Sequence, residues 1–251
     1  MSRILSAIRM QDPQRPAIND WTYGALAGAV DHLAAELRER IGTDSRPVAV
    51  EVTNSAAWAV LDLALLMLGQ ISLPLPSFFT QVQRRHALTD AGAGWLVTDR
   101  AETGGELLRI GMQILYLHRL DHAPVPLPAE TAKITYTSGT TGASKGVCLS
   151  ACGLEQVACS LVTVIGAERA GRHLAILPLP VLLENVAGLY GTQLAGGHYL
   201  VEAPTLLGVD QPFQPDFIRL LSALSALRAS SIILVPELLR GLMGRKPWPR
   251  H

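Results

Sequence analysis

The spacing of apolar residues switches between helical and extended periods along most of the chain. Behind Thr22, a residue suited to cap a helix, Leu26, Ala29, Val30, Leu33, Leu37 and Ile41 fall at helical intervals. Val48 to Thr53 reads as a strand, and Ser55 to Leu68 as a nearly all-apolar helix ended by Gly69. A short strand over Ile71 to Leu75, a helix capped by Thr80 and a strand over Trp95 to Thr98 follow. Residues 101–130 are less regular, and Pro124, Pro126 and Pro128 predict an extended spacer. Beyond it the pattern predicts a strand over Ile134 to Thr137, a helix from the Ser150 cap through Ile165, and a strand over His173 to Leu177. A helix over Leu183 to Leu194, a strand over His198 to Val201, a helix from Asp216 and a strand over Ser231 to Val235 complete it. Alternation at this pitch predicts an α/β fold, with parallel sheets and helices on both faces.

Composition narrows the possibilities. Of 251 residues 49% are hydrophobic and 17% charged, enough for a sizeable core and unlike a disordered chain. Lys plus Arg and Asp plus Glu are 21 each, so the basic excess that nucleic acid or an anionic membrane would require is missing. Mean hydropathy is high at +0.26. The longest apolar run, Ala56 to Gly69, nevertheless contains Asp62 and falls short of the roughly 20 residues of a membrane span. The N-terminus has no signal-peptide pattern. Cys148, Cys152 and Cys159 are spaced like one face of a helix, which predicts core packing rather than a metal site, in a reducing, cytoplasmic compartment. His118 and His122 lack the glutamate of a zinc-protease motif and read as surface residues.

The chemistry concentrates in Ile134-Thr-Tyr-Thr-Ser-Gly-Thr-Thr-Gly-Ala-Ser-Lys-Gly-Val147. Gly139, Gly142 and Gly146 permit a backbone whose N–H groups converge on one centre. Ser138, Thr140, Thr141 and Ser144 add hydroxyls, and Lys145, from a chain with lysine only at 133, 145 and 246, adds a mobile positive charge. Such a loop suits the oxygens of a polyphosphate. It fits neither the Walker pattern, since Lys145 is followed by Gly146, nor GxGxxG. Gly142-Ala-Ser-Lys-Gly146 does match the GxSxG elbow of serine hydrolases, which makes a hydrolase using Ser144 a distant alternative. That elbow requires a strand immediately before it, a helix immediately after the serine, and later Asp and His partners; after Asp210 only His251 remains.

Tyr136 to Val147 closely resembles the phosphate-loop signature of the AMP-forming acyl-CoA synthetase and adenylation-domain superfamily, with Ser144 in place of the usual proline. Trp21-Thr-Tyr-Gly-Ala-Leu26, Leu66 to Leu75, Leu177-Pro-Leu179 through Gly188, and Ser231 to Met243 are similar to further family segments, in the family's order. In the third of these the loop is longer and Asn185 occupies a histidine slot. The resemblance implies contact between ATP phosphates and Thr137, Ser138, Gly139, Thr140, Thr141, Gly142, Lys145 and Gly146. It implies Glu184, Asn185 and Gly188 as acyl-pocket candidates, with no secure catalytic residue and no protein metal site.

A complete family member joins a carboxylate to the α-phosphate of ATP with Mg2+, releases pyrophosphate, and passes the acyl group to CoA. The resemblance therefore implies the N-terminal part, residues 1–243, of an acid–CoA ligase, with a fatty acyl-CoA synthetase preferred. The alternative is a non-catalytic nucleotide-binding or interaction module. The family's Tyr-Gly-x-Thr-Glu motif, ribose-binding aspartate and catalytic lysine do not occur, and residues 244–251 read as a basic tail unlike the family. A missing C-terminal portion, low ligase activity of the isolated chain and an open apolar edge are the corresponding expectations.

Overall fold

Ser2 caps α1 (Arg3–Met10), a helix whose Ile4, Leu5 and Ile8 are buried, and which the sequence reading did not assign. The chain continues through β1 (Pro16–Ile18), β2 (Trp21–Thr22), α2 (Tyr23–Ile41), β3 (Val48–Glu51), α3 (Ala56–Leu68), β4 (Ser72–Pro74) and α4 (Gln81–Asp90). Next come β5 (Trp95–Thr98), β6 (Glu106–Ile110), β7 (Gln113–Arg119), β8 (Thr131–Thr137), β9 (Lys145–Ser150) and α5 (Ala151–Ile165). After a 3₁₀ turn at Ala167–Ala170 follow β10 (Arg172–Ala175), a π-helical segment (Glu184–Tyr190), α6 (Gly191–Leu194), β11 (His198–Val201), α7 (Pro204–Leu207), α8 (Phe217–Ala226) and α9 (Pro236–Met243). The computed structural model describes residues 2–101, 104–137, 144–209 and 215–243.

Caps set the helix boundaries where the sequence placed them. Thr22, Ser55, Ser150 and Asp216 each accept a backbone N–H of the following first turn. Thr80 and Gln83 close a reciprocal capping box. Gly69 ends α3 at φ 68°, in the left-handed region where only glycine is free of penalty.

The strands form a seven-stranded sheet, ordered β6-β7-β5-β3-β4-β8-β9, and a four-stranded sheet, ordered β10-β11-β1-β2. Pairing is parallel through β5-β3-β4-β8 and through β10-β11-β1. It is antiparallel at β6-β7, β7-β5, β8-β9 and β1-β2, so the predicted parallel sheets are mixed ones. Alternation assigns the faces of the larger sheet. Val48, Val50, Trp95 and Val97 join the core packed with α2 and α3, while Ala49, Leu96, Ile134 and Tyr136 pack with Ala87, Leu88 and Ala91 of α4 and its end. Helices thus cover both faces. Leu174, Leu200, Leu207 and Leu220 form a third core under α7 and α8.

Several local predictions need correction. Residues 106–119 form a hairpin, in which Leu108, Ile110, Leu115 and Leu117 alternate inward. Gly111, at φ 58°, takes the first central position of its two-residue turn, as a type II′ turn demands. Cys148 lies on β9 rather than on a helix, because the Ser150 cap starts α5 only afterwards; Cys148 and Cys152 are exposed and Cys159 is half-buried. His118 on β7 and His122 beyond it are only partly exposed at the surface. The Ser231–Val235 strand begins, with Leu174 N–H donating to the Ser231 carbonyl at 3.0 Å and a parallel bridge from Ser231 to His173, and then stops. Residues 232–235 find no strand partner among the described residues and stay half-exposed. No helix among the described residues is long and apolar enough to cross a membrane.

Between α2 and β3, Arg46 donates to Asp44 from its guanidinium and its backbone N–H, and Trp95 Nε1 adds a third donor type at 3.0 Å. The Arg46 hydrogen bonds hold the Asp44 carboxyl down from 3.8 to about 2. A carboxyl depressed in the folded state stabilises the fold above its unfolded pKa and loses that contribution as pH falls through the folded value. Asp44→Asn is therefore expected to flatten the acid limb of stability between 3.8 and about 2. Urea titrations across that range measure it, and an unchanged limb would remove Asp44 from the account.

Candidate functional site

Strand β8 delivers Thr137 to the start of the glycine-rich segment, and β9 carries the chain away from Lys145. The two strands pair antiparallel over six positions, from Thr131↔Ser150 to Thr137↔Lys145. Hairpin closure therefore sets Thr137 and Lys145 side by side, both exposed, at the mouth of the connecting segment. Ser138, Gly139, Thr140, Thr141 and Gly142 lie outside the described residues, as does the tail from 244 to 251.

The root of this hairpin is buttressed from α4. Tyr136 donates its hydroxyl to Asp90 Oδ2 at 2.7 Å, and burial, reinforced by Asp90, holds the phenol well above its ordinary range. The His86 ring meets Tyr136 edge-on at 5.9 Å, and its Nε2 donates to the Ser144 carbonyl at 2.9 Å. A carbonyl only accepts, so Nε2 carries the proton. Gly146 lies against Tyr136 so closely that a Cβ would stand 3.0 Å from its Cζ, which explains a glycine on the outgoing strand. Ser144 leads into β9, a strand, so the helix required after a hydrolase nucleophile is not there.

The three acyl-pocket candidates sit on the π-helical segment, and all are buried. Glu184, 0% exposed, accepts from Tyr199 Oη at 3.0 Å and His173 Nε2 at 3.0 Å, and from the Leu177 N–H at 3.3 Å. His173 Nδ1 faces Ser231 Oγ at 3.0 Å, and its ring stacks on Tyr199. Gly188 closes over this group; a Cβ there would come within 2.2 Å of Glu184 Oε1. Asn185 turns to a second buried cluster. Its Nδ2 donates to Asp62 Oδ2 at 3.0 Å, where Tyr190 Oη donates at 2.6 Å, while Lys133 Nζ donates to Asp62 Oδ1 at 2.7 Å and to the Asn185 side-chain oxygen.

The sequence reading passed over Lys133, Tyr190 and His86 as site residues. Asp62 in the middle of an otherwise apolar helix and a lysine inside a buried strand were the signal. An ionised group in such a place needs a partner of opposite charge. His86 gave no signal, because its partner is a backbone carbonyl 58 positions away.

A sequence profile described as AMP-binding enzyme matches residues 7–250. Tyrocidine synthase 2 of Brevibacillus parabrevis is 29% identical over 207 residues, covering 79% of this chain and 6% of that protein. Among solved structures, O-succinylbenzoate Coenzyme A Synthetase (MenE) from Bacillus subtilis in complex with AMP superposes with a TM-score of 0.75 at 21% identity. That match covers 99% of this chain and 65% of that one. The Klebsiella oxytoca NpsA N-terminal subdomain, bound to 3-hydroxyanthranilyl-AMSN, gives 0.74 at 23% identity, over 97% of this chain and 61% of that one. The chain thus spans less than two thirds of the first of these structures, and a small fraction of the peptide synthetase.

Proposed function

We propose, for a chain that belongs to the AMP-binding enzyme family, that it supplies the phosphate-holding side of an adenylation site. There a carboxylate oxygen attacks the α-phosphorus of ATP, the bond to the bridging oxygen breaks, and pyrophosphate leaves with the electron pair. Carboxylates are poor electrophiles, and attachment to AMP gives the carbonyl carbon a good leaving group. The observation that carries this reading is the β8–β9 hairpin, whose register sets Thr137 beside Lys145 across the glycine- and hydroxyl-rich segment. Lys145 would offset the charge of the β- and γ-phosphates as it builds on the departing pyrophosphate, and Thr137, Gly146 and residues 138–142 would donate to their oxygens.

Among the described residues no group of three His, Cys, Asp or Glu side chains could hold a metal ion. Magnesium belongs to this proposal as the companion of the ATP phosphates. The names of the relatives include peptide synthetases and a CoA synthetase for an aromatic acid, so they support carboxylate activation in general and not a fatty acid in particular. CoA and a carrier-protein thiol both remain fitting acceptors. Exchange of labelled pyrophosphate into ATP, run with a panel of carboxylic acids, tests the adenylation step, while direct ATP titration tests the loop alone. ATP binding without exchange would leave a nucleotide-binding module; absence of both would end the proposal.

A further inference from the structure

The ion pair between Lys133 and Asp62 is enclosed, with side chains 4% and 2% exposed, and all its polar atoms are used within the protein. It joins three elements. Asp62 comes from α3, Lys133 from β8, and Asn185 and Tyr190 from the π-helical segment. The ammonium also lies 3.2 Å from the Tyr190 oxygen and 5.9 Å from the Trp58 ring centre. Lys133, Thr135 and Thr137 share one side of β8, so the strand that this pair holds is the one that opens the glycine-rich segment.

Geometry says why the partner segment is π-helical. In an α-helix residues five apart are about 1.4 turns apart and point in different directions. The i→i+5 closure of a π-helix stacks them one turn above each other. Asn185 and Tyr190 are five apart, and both reach Asp62 and Lys133. Buried ion pairs add little net stability over well-packed apolar side chains, but their directional bonds can select one arrangement among several.

We propose that the Lys133–Asp62 pair is a positioning device that fixes β8, and with it the proposed phosphate loop, in one register against the π-helical segment. The nucleotide arm of this proposal rests on the reading of residues 137–146 given above; the register arm does not. The test compares wild type with Tyr190→Phe and with the apolar triple variant Lys133→Met/Asp62→Leu/Asn185→Leu. The readouts are thermal unfolding, amide hydrogen exchange and ATP titration on the full chain. The triple variant leaves no buried charge unpaired but removes both partners of the Tyr190 hydroxyl, so it is expected to melt between Asp62→Leu and wild type. Its amides over 184–190 should exchange roughly tenfold faster, and its ATP affinity should drop roughly tenfold. Tyr190→Phe should show the same exchange change at roughly threefold. A triple variant that matches wild type in exchange and ATP affinity overturns the proposal, because the pair would then be a replaceable contact. If the triple variant does not fold, Tyr190→Phe decides, and unchanged exchange there overturns it. If wild type binds no ATP, the phosphate-loop reading fails on its own, and exchange over 184–190 still decides the register claim.

Discussion

Asp62→Leu is expected to lower the unfolding free energy by about 3–5 kcal/mol, the largest single-residue effect foreseen for this chain. Leucine fits the apolar surroundings of α3, so the loss does not come from packing. It comes from leaving the Lys133 ammonium buried without its counter-charge, and from orphaning Asn185 Nδ2 and the Tyr190 hydroxyl. Burial already pulls the Lys133 amine below 10.5, with Asp62 opposing that pull, so removing Asp62 must push it lower still. A lysine depressed in the folded state binds fewer protons there than in the unfolded chain, and stability then rises with pH below 10.5. The deficit of the variant should therefore shrink between neutral pH and about pH 9, as its amine sheds the proton. Urea denaturation at both pH values measures it. A deficit under about 1 kcal/mol, or one constant with pH, would mean that the pair is not ionised as described.

Lys145→Ala is expected to weaken ATP and pyrophosphate binding roughly ten- to a hundredfold, since a hydrogen bond to a charged group contributes about 1.5–3 kcal/mol. Backbone N–H groups and hydroxyls of the segment persist in the variant; the full positive charge does not. AMP lacks the β- and γ-phosphates and should lose much less. Under the hydrolase alternative the sensitive residue would be Ser144, and ATP would be irrelevant to it. Titrating ATP and AMP against wild type, Lys145→Ala and Ser144→Ala separates the two. Equal ATP affinity in wild type and Lys145→Ala would withdraw Lys145 from the phosphate site.

Much of the architecture was legible because local chemistry and tertiary placement agree. Trp95–Thr98 and His198–Val201 are strands over the predicted residues, and Thr22, Ser55, Thr80, Ser150 and Asp216 cap the helices assigned to them. Misreadings arose where pairing at a distance decides. The 106–119 hairpin has clear alternation, but its exposed Leu107, Met112 and Ile114 blur the period, and the Ser231 strand needs more than one bridge to continue. Cysteine spacing misled because helical periodicity was counted across a cap. Of the site, the loop and its lysine were visible as a motif. The inward commitment of Glu184 and Asn185 was not, because it depends on His173, Tyr199, Asp62 and Lys133, which only the fold brings near them.

The π-helical segment also makes the chain respond unequally to length changes at that point. Its turn is wider than the α-helical turn it flows into at Gly191, and the difference is about one residue. Deleting one residue between Asn185 and Tyr190 would bring these two side chains four positions apart, and an ordinary α-helix sets such a pair on one face. The shortened segment could then run as one α-helix with Gly191–Leu194 and keep both side chains toward Asp62. An added residue has no such outlet, because neither pitch stacks positions six apart, and it would turn Tyr190 away from Asn185 and from Asp62. Substitutions of matching shape and a single gap are tolerable along this stretch, whereas insertions are not.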